Sequence, residues 1–441
     1  MKAYLANAAY GVLDYAAYPI GMLLVAPIVL RNMGAAQYGI WAVVTAAVSM
    51  GSIIASGFGD ANIQHVASQR GLGQHDALVR TVRCMISINL ILGTVLAAVA
   101  WTLAPFAALH LVPAGGMLAQ DCLWSLRIAS LLLWLRTMES VCISTQRAFE
   151  RYGAAVRVSV VTRLLSLAAA AALTYLLHGV AGIVAASALF NLLGTWLQFA
   201  DLRRLLDVSS LLPAMDAHAA KALLGYGAFS WLQAVSAVIF SQADRLFLGI
   251  SLGAVAVAAY SLCTQLAQPI FGFAASGLHF LFPHLAERQA SRATSSVRKT
   301  ILVASTCNLL FVAVTTVTLL LFGKSILRVW AGADIARSAA PVLPIIVWSS
   351  ALLALNVTGT YALFAFGRIR IVTWLNLAAG ATMLLLMVWL LPRFGTYGMA
   401  MARLSYAAIT LLVYVPLARQ LSKAPKTHMS LPASSPICEE V

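Results

Sequence analysis

Long apolar runs, broken by short polar segments, organise this chain. A helix needs about 20 predominantly apolar residues to cross the hydrocarbon of a bilayer. Twelve stretches meet that length, at approximately 10–30, 38–59, 84–107, 118–145, 158–177, 180–200, 225–250, 254–280, 301–322, 339–365, 371–391 and 396–417. The pattern therefore predicts an all-α integral membrane protein with about twelve transmembrane helices. The longest polar interruption, 201–224 (DLRRLLDVSSLLPAMDAHAAKALL), divides the runs six and six. It separates an N-terminal block, 1–200, from a C-terminal block, 225–417, and is expected to link them on the cytoplasmic side. The segment 418–441 is polar, with three prolines and several serines, and is expected to be a disordered cytoplasmic tail.

Composition agrees with that solvent. Of 441 residues, 61% are hydrophobic and 10% charged, whereas a soluble domain carries about 25% charged residues. So few charges cannot cover a surface facing water. The net charge of +15 would point to nucleic acid in a soluble protein. In a membrane protein it reports basic residues concentrated in cytoplasmic loops. With the N-terminus placed inside, nineteen Lys and Arg fall in cytoplasmic segments, five on the opposite side and five within spans. Both termini are thus expected in the cytoplasm. Six cysteines show no CxxC spacing, which points to neither disulfide nor metal site. The N-terminus runs directly into a full-length apolar stretch and lacks a cleavable signal pattern.

The chain also repeats itself. SGFGDANIQHVASQR (Ser56–Arg70) is echoed by SGLHFLFPHLAERQ (Ser276–Gln289) at an offset of about 220. Gly34 matches Gly253 at offset 219. Ala148, Phe149 and Arg151 match Ala365, Phe366 and Arg368 at 217, and Gly179 and Gly182 match Gly395 and Gly398 at 216. A unit of six spans, an even number, returns the chain to the side where it began. Its two copies form parallel lobes related by a pseudo-two-fold axis along the membrane normal. Such lobes can rock around a central cavity.

Two stretches carry a family resemblance. The run RNMGAAQYGIWAVVTAAVSMGSIIASGFGDANIQHVAS resembles the first two helices of bacterial polysaccharide flippases, and QADRLFLGISLGAVAVAAYSLC resembles their seventh and eighth. These proteins share a superfamily with multidrug extruders and lipid II flippases. The resemblance implies transport, without bond chemistry, of an isoprenoid-diphosphate-linked oligosaccharide from the inner to the outer leaflet, for O-antigen or exopolysaccharide synthesis. It also implies membrane lipids, a polysaccharide polymerase and a chain-length regulator as partners. The sequence contains no P-loop, no GxSxG and no metal-ligand spacing, so neither an enzyme, a cofactor nor an ATP-driven pump is expected.

A charge at mid-bilayer costs roughly 2.5–3.5 kcal/mol on insertion scales, so the charges retained there are the candidate site. In order of interest the arginines are Arg136, Arg403, Arg163, Arg245 and Arg127. Arg suits a diphosphate or an acidic sugar, because its planar fork binds oxygens in pairs. Arg136 and Glu139, three apart on one helix, either neutralise each other or face a cavity. Arg127, nine residues from Arg136, falls on the opposite helix face. Glu139, Asp244 and Asp14 are candidate coupling-ion sites for a proton or sodium gradient. Pro19 and Pro269 are candidate hinges. Two alternatives stay open: a drug or organic-cation extruder of the same fold, whose cavity should favour acids, and a non-transporting scaffold.

Overall fold

The computed structural model describes residues 2–422 apart from 150, 177–178, 279–280, 282–284 and 286–293. Side chains are described for the same residues less 2–16, 55–56, 60, 152, 154–155, 218, 222, 224–230, 232–241 and 294–296. Within these bounds the regular structure is helical. The helices are α1 (Lys2–Met33), α2 (Ala35–Ser56), α3 (Gly59–Gly71), α4 (His75–Leu111), α5 (Gly116–Ala148), α6 (Tyr152–Leu173), α7 (Val180–Leu205) and α8 (Ala217–Gly277). After them come α9 (Thr294–Ala331), the short α10 (Ala333–Ala339), α11 (Leu343–Ala365) and α12 (Ile369–Thr410). A 3-10 turn, Leu411–Val413, leads into α13 (Tyr414–Ser422).

Among the described residues, eight helices are long and apolar enough to cross a membrane. The chain is a multi-pass membrane protein. Its outside is greasy: α9, for example, exposes Leu310, Val314 and Leu321. Such a face is favourable against lipid and costly against water. Two of the eight are not single rods. The 61 residues of α8 are interrupted at Gly253 (φ 79, ψ 179), and the 42 of α12 at Gly395 (φ 55, ψ −134). Gly34, between α1 and α2, adopts almost the same conformation as Gly253 (φ 85, ψ 171). At a positive φ a Cβ costs about 1–2 kcal/mol, so both corners need glycine. The caps repeat too. Phe149 and Phe366 end their helices at φ −88, ψ 7 and φ −79, ψ 6, and Arg151 and Arg368 begin the next at φ −88, ψ 50 and φ −93, ψ 35.

Several expected boundaries shift. Helices overrun their apolar windows, so α4 begins at His75 and α7 continues to Leu205. Residues 206–216 connect α7 to α8. This link is held to α4 by the Arg83 guanidinium, which donates to the Ser210 carbonyl at 2.9 Å. The first copy of the Ser-Gly echo forms α3. Most of the second copy lies outside the described residues. Residues 418–422, expected in a disordered tail, belong to α13, and 423–441 lie outside the description.

In the first half, α5 packs against α2, α4, α6 and α7, and α1 packs against α6. In the second, α11 packs against α8, α9 and α12. The halves meet chiefly where α2 lies along α8. Contact there is backbone-close: a Cβ on Gly39 would lie 1.8 Å from the Ala254 carbonyl oxygen. A second tie joins α1 to α9. The Trp330 indole donates to the Leu23 carbonyl at 2.8 Å, and the Arg31 guanidinium donates to the Val329 carbonyl.

Candidate functional site

Between the halves lies a cavity of about 650 Å³. α2 gives it one wall through Trp41, Val44, Thr45, Val48, Ser49 and Ser52. Their spacing of three and four residues is a single helix face. From Trp41 to Ile53 this face covers about 18 Å of helix axis. The rest of the lining comes from α1, α5, α6 and α7 and from both limbs of α8, the last through Gln242, Arg245, Gln265 and Gln268. Gln265 also closes a link across the halves, its Nε2 donating to the Tyr38 hydroxyl at 2.8 Å.

Three of the five intramembrane arginines line this cavity: Arg136 from α5, Arg163 from α6 and Arg245 from α8. Tyr18 is a lining residue of the same cavity. Arg136 and Arg245 are locally anchored. Arg136 Nη1 pairs with Glu139 Oε2 at 2.7 Å, with both side chains largely buried. Glu139 lies within the fields of Arg136 and Arg163 together. The Arg245 guanidinium donates to Thr264 Oγ1 at 3.1 Å. The pairing of Arg136 with Glu139 and its place on the cavity wall are compatible, because guanidinium has five donors and one carboxylate occupies few of them.

The other two arginines are elsewhere. Arg127 is not among the lining residues. It lies over the rings of Trp101 and Trp124, at 5.2 and 5.3 Å from their centroids, on the other face of α5. Arg403 is also absent from the lining. Its Nη1 meets Asp244 Oδ2 at 2.5 Å, and the Tyr260 hydroxyl donates to the same oxygen at 2.9 Å. Asp244 is fully buried. Its other oxygen accepts the backbone N–H of Arg245 at 2.9 Å. Asp244 therefore turns into the second half while its neighbour Arg245 turns to the cavity. The side chain of Asp14 lies outside the described residues. Asp121 caps a helix: it accepts the N–H groups of Val180 and Ala181 at 2.7 and 3.1 Å, at the start of α7. An anion there meets the positive end of the helix dipole.

Most of the remaining polar lining was not singled out from sequence. Thr45, Ser49 and Ser52 recur at intervals of four and three within an apolar helix. That stripe is visible in the sequence once charge is not the only criterion. Pro19 also reaches the cavity wall, inside α1. Among the described residues no group of three His, Cys, Asp or Glu could hold a metal ion.

Residues 6–289 match the family profile described as polysaccharide biosynthesis protein. No curated protein sequence matches the chain. Among solved structures, the fold is similar to an inward-facing multidrug resistance transporter of the MATE family in the MOP superfamily, with 15% identity, 95% of this chain and 99% of that one covered, and a TM-score of 0.73. It is similar to the lipid II flippase MurJ in an inward closed conformation, at 12% identity, 91% and 87% coverage and a TM-score of 0.70. It also resembles a MOP-superfamily transporter from Pyrococcus furiosus, at 15% identity, 97% coverage of each chain and a TM-score of 0.61, for which a reversed polarity of the binding pocket was described. The fold is that of these transporters.

Proposed function

We propose a flippase: the chain belongs to the polysaccharide biosynthesis protein family, and its cavity suits an isoprenoid-diphosphate-linked oligosaccharide carried from the inner to the outer leaflet. The observation that carries this reading is the convergence of Arg136, Arg163 and Arg245 on one cavity between the halves. Paired donors in a site shielded from water suit phosphate oxygens. The isoprenoid tail stays in lipid while the head enters. An organic cation would be repelled, which favours this reading over the extruder alternative.

Twelve spans in two parallel six-helix lobes, 1–200 and 225–417, make the machine. The matched corners at Gly34 and Gly253 and the matched caps at Phe149 and Phe366 support that duplication. With both termini in the cytoplasm of the inner membrane, the tight contact at Gly39 lies toward the outside. Alternating access then opens that end while the opposite end closes. Glu139 and Asp244 are each tied to an arginine, so a coupling proton or sodium ion must compete with a guanidinium at either. Polymerase and chain-length regulator act on the delivered product.

The test is complementation of a deletion strain, reading surface polysaccharide and accumulated lipid-linked oligosaccharide. Arg136→Ala, Arg163→Ala and Arg245→Ala should each lower export by about ten- to a hundredfold, the loss of one charge-assisted contact of about 1.5–3 kcal/mol. Arg127→Ala should leave it near normal. Full export by all three cavity variants at normal protein level refutes the reading.

A further inference from the structure

The charge and hydrogen-bond character of the cavity narrow the cargo further. This step rests on the flippase reading. The wall carries three positive charges, from Arg136, Arg163 and Arg245, and one negative charge directly behind it, Glu139. The net is about +2. The parts of α1 and α8 whose side chains are not described, 2–16 and 224–241, contribute Asp14 and, at the chain end, Lys2. Asp14 within its span can only lower the sum. Arg403 is neutralised by Asp244 away from the cavity. An isoprenoid-diphosphate sugar carries about two negative charges, one acidic oxygen on each phosphorus. The diphosphate therefore uses all the positive charge present.

Part of the remaining polar wall is set to accept hydrogen bonds. Thr45, Ser49 and Ser52 donate their hydroxyl protons to the carbonyls of Ala42, Thr45 and Val48, at 3.0, 2.8 and 2.8 Å. Ser166 does the same to Thr162 at 2.8 Å. Their lone pairs are left for the cavity. Asn191 donates to the Ser187 carbonyl at 2.7 Å and Gln265 to Tyr38. Lone pairs on a cavity wall are best met by a donor. Sugar hydroxyls are such donors. A carboxylate or an additional phosphate adds a negative charge that meets no spare cation.

We propose that the cavity selects lipid diphosphates whose first sugars are neutral and hydroxyl-rich, and discriminates against those carrying a uronic acid or a second phosphate there. The test measures binding to the purified full-length protein of three probes: an isoprenyl diphosphate bearing a neutral disaccharide, the same lipid with a uronic acid as first sugar, and a lipophilic organic cation. The neutral glycolipid should bind tighter by on the order of tenfold or more. Gln268→Lys, at an exposed position, and independently Gln242→Lys each add one cation to the wall and should narrow that gap. Equal or tighter binding of the acidic glycolipid, or a gap unchanged by both lysines, overturns the selectivity while leaving a flippase. Failure of both glycolipids with retention of the organic cation overturns the flippase reading and the selectivity with it.

Discussion

Arg403 and Asp244 are 159 positions apart and share one buried contact at 2.5 Å. Nothing in the sequence pairs them. Depth along a span cannot separate a cavity wall from a helix interface. Arg136 and Glu139 were legible, because three residues along a helix fix their proximity without knowledge of the fold. Arg245 was ambiguous beside Asp244 for the same reason as Arg403: neighbouring helix positions lie about 100° apart and face different surroundings. The buried pair makes a distinct prediction. Removing one partner strands a charge and should cost about 3–5 kcal/mol, whereas replacing both with apolar groups is often neutral. Arg403→Met and Asp244→Leu should each sharply reduce folded protein, judged by thermal melting in detergent. The double variant should recover most of it and still export polysaccharide. A double variant that folds but does not export would give Arg403 or Asp244 a direct part in transport.

At the scale of elements, apolar length read from the sequence located the spans but not the full helices. Hydropathy reports the solvent around a helix, and backbone hydrogen bonding continues past the bilayer. Thus α4 starts nine residues before its apolar run, at His75, and α3, polar throughout much of its length, had no apolar run at all. α5 shows the converse. Its expected span, 118–145, includes Asp121, Arg127, Arg136 and Glu139, and it still runs unbroken from Gly116 to Ala148 because neighbouring helices and rings satisfy those charges. The corners were legible, since the expected breaks between 250 and 254 and between 391 and 396 coincide with Gly253 and Gly395. They also differ in what they tolerate. A Cβ on Gly34 meets nothing within 4 Å, while one on Gly253 lies 3.3 Å from the Leu111 carbonyl oxygen. Gly34→Ala should therefore cost about 1–2 kcal/mol from φ alone, and Gly253→Ala measurably more. Melting temperatures of the two variants, side by side, check the order. A further comparison belongs to this scale: Asp121→Ala removes the cap of α7 and should cost about 0.5–2 kcal/mol, with Asp121→Asn closer to the parent.

For the whole molecule, the decisive surface is the one along which α2 and α8 touch. A cavity that serves two sides in turn requires its halves to part at one end and meet at the other, and the end near Gly39 is shut in this conformation. Glycine makes that closure possible, because the backbone of α8 occupies the place a side chain on residue 39 would take. Tyr38–Gln265 and Trp330–Leu23 reinforce the same closed arrangement with hydrogen bonds across the halves. Gly39→Val should prevent closure, since carbon and oxygen atoms at 1.8 Å must separate to normal contact of about 3.5 Å. Local relaxation of one side chain cannot supply that space, for the obstructing atom is a backbone carbonyl. The expected outcome is loss of export with the protein still present in the membrane. In a cysteine-free background, Val43→Cys reports on the interface: Val43 is buried there, beside Gly249 of α8. A membrane-impermeant maleimide should label it poorly in the parent and readily with Gly39→Val added. Equal labelling in both, with export intact, would mean that the two halves do not have to close on this line, and that access to the arginines is controlled somewhere else.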